Sequence, residues 1–231
     1  MKYLALASTL ALVACNSGGG SSPPPPPPPP TSGAPPITVM LQLPAGSGWT
    51  QQYGGGFKLN VTGQTFNFAF PTNVNPPLTQ TGTNHVNYIV KSVAPLTTAK
   101  SITFGFTVAQ TANAAYYYKF EPTNTCPTPG SVTPYFQQVA DNGQEDTYRF
   151  WANSYKTPIV PGTHNVTVLF DPTKWGSVFG HVASTVLAGW QAALANPQAI
   201  GMTFGGGCFD GHGLALSAGS STFTLNSFTV N

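Results

Sequence analysis

Six carboxylates make up the whole acid supply of the 231-residue chain: Glu121, Asp141, Glu145, Asp146, Asp171 and Asp210. Glycoside hydrolysis needs two of them, held about 5–5.5 Å apart for retention or about 6.5–9.5 Å apart for inversion. Asp171 precedes a proline and reads as a helix N-cap. Asp141, Glu145 and Asp146 crowd one turn, Asp141-Asn142-Gly143-Gln144-Glu145-Asp146. Glu121 and Asp210 are then the pair left for such a dyad. The acidic turn matches no EF-hand loop and reads as a solvated turn, with a Ca²⁺ site built from oxygen ligands as the alternative. His85, His164, His181 and His212 include no i,i+4 pair and no His-Glu-x-x-His, so no zinc site is expected. Gly-x-Ser-x-Gly is absent, and Ser177 does not sit on a nucleophile elbow. Asp210-Gly211-His212 places an acid and a base either side of a glycine, an arrangement that in loops more often bonds backbone amides. Asp210 and His212 are therefore expected to shape their loop. No catalytic residue, cofactor or metal ligand is assigned.

Aromatic side chains carry the stronger signal. In Tyr148-Arg149-Phe150-Trp151, strand alternation puts Tyr148 and Phe150 on one face and Arg149 and Trp151 on the other. With the first pair in the core, an arginine and an indole stand together on an outer or concave sheet surface. An indole offers an apolar face to a sugar ring and a polar edge to water, and a nearby guanidinium donates to hydroxyls. Trp49, in Gly46-Ser47-Gly48-Trp49, is a second candidate platform. Arg149, Trp151 and Trp49 are the expected ligand-binding residues, whereas Trp175 and Trp190 lie at core-facing spacings.

The elements that must position these residues are strands. From Ile37 onward the hydrophobic period is two: Phe57/Leu59/Val61, Phe66/Phe68/Phe70, Ile102/Phe104/Phe106/Val108, Tyr116/Tyr118/Phe120 and Val166/Val168/Phe170, with Thr, Asn and Gly between. So many half-buried strands in one domain predict an all-β, two-sheet antiparallel sandwich of jelly-roll type over 37–231. In the last strand Phe223 and Leu225 share one phase and Phe228 and Val230 the other, which predicts a β-bulge at Asn226-Ser227. One short amphipathic helix is expected near 181–196, carrying Val182, Val186, Trp190, Ala193 and Leu194 and stopping before Pro197. Gly205–Gly213 holds five glycines and reads as a shaped loop.

Met1-Lys2-Tyr3 followed by Leu4–Ala14 has the form of an export leader, too short to span a bilayer. Its end, Leu12-Val13-Ala14-Cys15, resembles the lipobox of bacterial lipoproteins. The resemblance implies removal of residues 1–14 and acylation of Cys15, a membrane anchor made of lipid alone. Asn16 in place of the aspartate that marks inner-membrane retention implies an outer-membrane destination. Residues 15–36 follow as a Gly/Ser/Pro stalk, in which Pro23–Pro30 as polyproline II spans roughly 25 Å. Cys126 and Cys208 then remain as an even pair in an oxidising compartment. Their disulfide would close a loop of about 82 residues, worth about 4.5 kcal/mol in the chain-entropy model. Charged residues are only 6% of the chain, against roughly a quarter in an average soluble protein. A formal net charge of +2 gives no steering toward nucleic acid.

The aromatic alternating strands, Tyr148–Trp151, the Gly201–Phe204 run into the glycine loop and the closing strand Thr222–Val230 together resemble bacterial carbohydrate-binding modules of the galactose-binding-like, jelly-roll class. The resemblance implies a non-catalytic module of the cell envelope with a carbohydrate ligand. A structural or adhesion lipoprotein with an envelope protein partner is the first alternative. A glycoside hydrolase using Glu121 and Asp210 is the second.

Overall fold

The computed structural model describes residues 48–73, 84–118, 130–142, 144–206 and 211–231. One sheet runs in the order β1 (Thr50–Gln52), β4 (Tyr88–Ser92), β12 (Pro197–Gly205), β7 (Ser131–Gln138), β8 (Arg149–Trp151) and β11 (Gly176–Ser177), with β9 (Thr157–Pro158) also paired to β7. A five-stranded sheet runs β10 (Gly162–Leu169), β5 (Ser101–Gln110), β14 (Ser221–Val230), β3 (Thr65–Ala69) and β2 (Asn60–Thr62). A two-stranded ribbon joins β13 (Leu214–Ala218) to β6 (Ala115–Tyr118). Every strand pair is antiparallel. This is the antiparallel sandwich that the period-two pattern predicts.

The core lies between the two sheets. Ile102, Phe104, Phe106 and Val108 of β5 face Ile89, Phe136, Phe150, Ile200, Met202 and Phe204 of the opposite sheet, all at most 2% exposed. Across β3, β14 and β5, the rings of Phe66, Phe68, Phe223 and Phe106 stack in a ladder with successive centroids 6.1, 5.5 and 5.0 Å apart. Burying each such ring contributes roughly 1.5–3 kcal/mol. On the solvent side of this sheet, threonines pair across strands, Thr103 with Thr167 and Thr107 with Thr163. The alternation of phenylalanine with threonine thus sorts into a dry face and a hydroxyl face.

The β14 register shifts between Leu225 and Ser227. The bulge falls where the phase change places it and returns Phe228 to the core at 7% exposure. Phe57 and Leu59 pack on the core outside any strand, while Val61 in β2 is 42% exposed.

The helix is shorter than its hydrophobic pattern. A 3₁₀ turn covers Ala183–Val186 and α1 only Leu187–Ala195. Backbone bonds from Ser177 to His181 O and from Ala183 to Trp175 O hold the start of the segment in a tight loop. Val182 therefore lies outside the helix and is exposed. Trp190 and Ala193 are buried, with the Trp190 indole against Phe136 and Phe150. Trp175 is buried beside them, 1% exposed.

Candidate functional site

Strand register brings a second set of side chains together on the face of the seven-stranded sheet that turns away from the core. One row across it is Val90, Gly201, Tyr135 and Trp151; the next is Gln52, Tyr88, Thr203 and Thr133. Their chain neighbours Ile89, Met202, Phe136 and Phe150 fill the core, so alternation sends this set outward. Tyr88, Val90, Tyr135, Trp151 and Ala199 form a separate apolar cluster there, joined by Val178.

Arg149 sits within this cluster and is the chain's sole arginine. Its Nε donates to Asp141 Oδ2 at 2.7 Å, with the two side chains 5% and 0% exposed. Nη1 donates to the Tyr88 hydroxyl at 3.3 Å. The guanidinium carbon lies 5.2 Å from the ring centroid of Tyr88, 5.7 Å from Tyr53 and 5.9 Å from Trp151. Planar cations favour such positions over aromatic faces. Tyr88 contacts Tyr135 and Tyr53 edge-on, with centroids 4.7 and 5.7 Å away.

Burial works against the Arg149 charge, but the oxygens of Tyr88, Asp141 and Tyr135 outweigh it and hold the group more firmly protonated than usual. Burial also raises the Tyr88 phenol, and raises that of Tyr135 well above its ordinary value; in both cases Arg149 opposes the shift only in part. Both phenols therefore stay protonated at neutral pH. Tyr135 gives its proton to Gln137 Oε1 at 3.1 Å.

Beside this satisfied network lie polar atoms that the described residues leave without a partner. The Trp151 N–H is given to the Tyr88 hydroxyl, but both amide atoms of Gln52, the Thr203 hydroxyl and the Asn87 carbonyl oxygen are buried and make no hydrogen bond. Each such group costs about 1–3 kcal/mol until something pairs with it. Gln52 and Thr203 flank Tyr88 on adjacent strands. The arrangement offers donors, acceptors and ring faces; its one described carboxylate, Asp141, is committed to Arg149.

Arg149 and Trp151 do share the face expected of them, opposite the core-facing Phe150. They do not form an open platform: Arg149 is 4% and Trp151 8% exposed. The reason is lateral packing, since Tyr88, Tyr135 and Tyr53 close around the guanidinium. Trp49 is not a platform either. It is 5% exposed within the main core, its indole T-stacked on Phe66 and Phe228 at 5.1 Å and its N–H given to Gln64 O. Lys91 Nζ stands 5.1 Å from the Trp49 ring centroid on the core's rim. His212 is half-buried. Asp210, Glu121, Cys15, Cys126 and Cys208 lie outside the described residues. Gln52, Tyr53, Tyr88, Tyr135 and Thr203 were not singled out from sequence, and Asp141 was placed only in the acidic turn; a lone arginine eight residues from an acid was the available signal for pairing it with Arg149.

The acidic turn is solvated only in part: Asn142, Gln144 and Glu145 are exposed, but its two aspartates are not. Asp141 is taken up by Arg149, and Asp146 gathers the Ser177 hydroxyl, the Phe179 amide at 3.0 Å and His181 Nδ1 at 2.7 Å. Burial alone would raise the Asp146 carboxyl, but these hydrogen bonds hold it below the usual carboxylate range. Ser177 donates to the acid and not to the imidazole, so the three residues form a loop clamp and not a nucleophilic triad. No group of three or more His, Cys, Asp or Glu that could hold a metal occurs among the described residues.

No protein-family profile matches this chain, and no curated protein matches it. Among solved structures, the xyloglucanase domain of NopAA, a type three effector from Sinorhizobium fredii, in complex with cellobiose, aligns over 76% of this chain and 86% of that one. The identity is 12% and the TM-score 0.28. At that level neither ligand nor activity transfers.

Proposed function

We propose that this protein is a non-catalytic binding module of the bacterial cell envelope, and that it holds a carbohydrate on the outer face of its seven-stranded sheet. The observation that carries the reading is the gathering of unpaired buried polar atoms (Gln52, Thr203) beside the rings of Tyr88, Tyr135 and Trp151, on a sheet face separate from the core. Sugar recognition combines these two kinds of group, ring faces for the apolar side and fixed hydrogen-bonding partners for the hydroxyls. The lipobox-like Leu12–Cys15 and the proline stalk support an acylated Cys15 that tethers the module to the outer membrane, with a Cys126–Cys208 disulfide inside the domain.

Binding of the full-length chain to a glycan array tests the ligand class, and Trp151→Ala tests the place. Absence of binding to every glycan refutes the class. Undiminished binding by a folded Trp151→Ala variant refutes the site. Fatty-acid labelling in cells, abolished by Cys15→Ala, tests the anchor. The adhesion reading draws support from Phe179, Val182 and Leu187, which are 64%, 43% and 44% exposed and close in sequence. Crosslinking from position 179 to one envelope protein, in a chain that binds no glycan, would favour it.

A further inference from the structure

We infer that the protein associates with a second copy of itself through the open edge of β10 at Thr163–Thr167, the two strands pairing antiparallel about a two-fold axis at Asn165. The two five-stranded sheets then join into one. The other strands that end the two sheets, β1, β2 and β11, have three, three and two residues. β10 has eight, in unbroken register with β5 from Gly162 opposite Val108 to Leu169 opposite Ser101. Short strands, bulges, prolines and charged side chains are the usual means of keeping a sheet edge from pairing. β10 has none of these between Thr163 and Thr167, and no Asp, Glu, Lys or Arg occurs in any of the five strands.

Backbone parity sets which groups are open. The Phe170 N–H donates to Lys100 O at 3.0 Å, one step beyond the pair Leu169–Ser101. Hydrogen-bonded pairs alternate in an antiparallel ladder, so His164, Val166 and Val168 bond β5. Thr163, Asn165, Thr167 and Leu169 turn their N–H and C=O groups to the free side. The Leu169 carbonyl is taken by Trp175 Nε1 at 2.8 Å, and Pro161 precedes the strand, so these two residues bound the open stretch. Between them no described residue pairs with the backbone of Thr163, Asn165 or Thr167.

The side chains leave that backbone bare as well. The hydroxyls of Thr163 and Thr167 turn back to Thr107 and Thr103 of β5, at 3.1 and 3.4 Å. Asn165 leans over Gly105, where an added Cβ would come 2.8 Å from its Oδ1. Thr163, Asn165 and Thr167 also read the same in both directions. A two-fold axis at Asn165 therefore sets Thr163 against Thr167 of the second copy and Asn165 against its own counterpart, continuing the threonine pairs already present within the sheet. Each pair exchanges two backbone hydrogen bonds, and two uncharged edges meet without repulsion. So short a seam falls below the roughly 800 Å² per partner of a standard interface, which makes the dimer concentration-dependent.

Cross-linking tests the edge directly. Hydrogen-bonded antiparallel partners lie about 5.5 Å apart at Cα, within reach of a disulfide. Under mild oxidation, full-length Asn165→Cys is expected to form a covalent dimer about tenfold or more faster than Asn67→Cys, whose cysteine lies on β3 within the same sheet. Non-reducing gels read both, with wild type as the background for the native cysteines. Thr163→Cys mixed with Thr167→Cys is expected to cross-link faster than either variant alone, which fixes the register. Asn165→Lys sets like charges across the axis and is expected to abolish the dimer seen by sedimentation while the melting temperature of the dilute protein holds. Cross-linking of Asn165→Cys no faster than Asn67→Cys overturns the inference, as does a dimer that survives Asn165→Lys or a wild type still monomeric at about 1 mM. Capture of a different protein by Asn165→Cys in cells, with no self-cross-linking, overturns the second copy as the occupant of this edge.

Discussion

Replacing Asp141 by alanine strips the only carboxylate partner described for a guanidinium that is almost fully withdrawn from water. The two side chains are 5% and 0% exposed and meet at 2.7 Å, leaving Arg149 with the Tyr88 hydroxyl at 3.3 Å and three ring faces. A buried pair broken from one side costs about 3–5 kcal/mol, because the remaining charge stays desolvated and uncompensated. For a domain of this size each kcal/mol moves the melting temperature by about 2–4 °C, so Asp141→Ala is expected to melt roughly 6–20 °C lower. The paired replacement Arg149→Met with Asp141→Leu removes both charges. It is expected to be neutral or more stable by about 1–4 kcal/mol. Urea and thermal unfolding, followed by near-ultraviolet circular dichroism of the clustered tyrosines and Trp151, read both variants. An Asp141→Ala protein within about 1 kcal/mol of wild type would refute the reasoning, since it would mean that water or another group already neutralises Arg149.

Three further outcomes follow from the same geometry. Asp146→Asn is expected to lower stability at neutral pH. The Asp146 carboxyl is held below its usual range, so its contribution is fully present above the ordinary carboxylate value and is lost as pH falls through the depressed one; melting curves of the two proteins should converge in acid, and parallel curves would exclude the clamp. Gly211→Ala is expected to destabilise by about 1–3 kcal/mol, because φ there is +68° and an added Cβ would overlap the Tyr88 hydroxyl; loss of the tyrosine dichroism signal marks the displaced ring. Trp49→Ala is expected to cost about 3–5 kcal/mol as a core truncation, while Trp49→Phe keeps wild-type glycan affinity. A binding defect in a stable Trp49→Phe protein would return Trp49 to the site.

Alternation in the chain, by itself, determined the strands of the five-stranded sheet other than β2, the dry and hydroxyl faces of that sheet, and the bulge between Leu225 and Ser227. These are local facts: a period of two admits one way of burying Phe104, Phe106, Phe223 and Leu225 together. The same rule placed Arg149 and Trp151 on the face opposite Phe150. Whether that face was open lay beyond it, because Tyr53, Tyr88, Tyr135 and Asp141 reach Arg149 from other elements at sequence separations no local pattern encodes. Helical spacing likewise marked Trp190 and Ala193 but overran the helix, whose start is set by hydrogen bonds that tie His181 and Ala183 back to Ser177 and Trp175. Trp49 read as a loop aromatic until strand pairing carried it onto Phe66 and Phe228. Burial is a property of what comes to lie beside a residue, and in an antiparallel sandwich that is decided by pairings between distant strands.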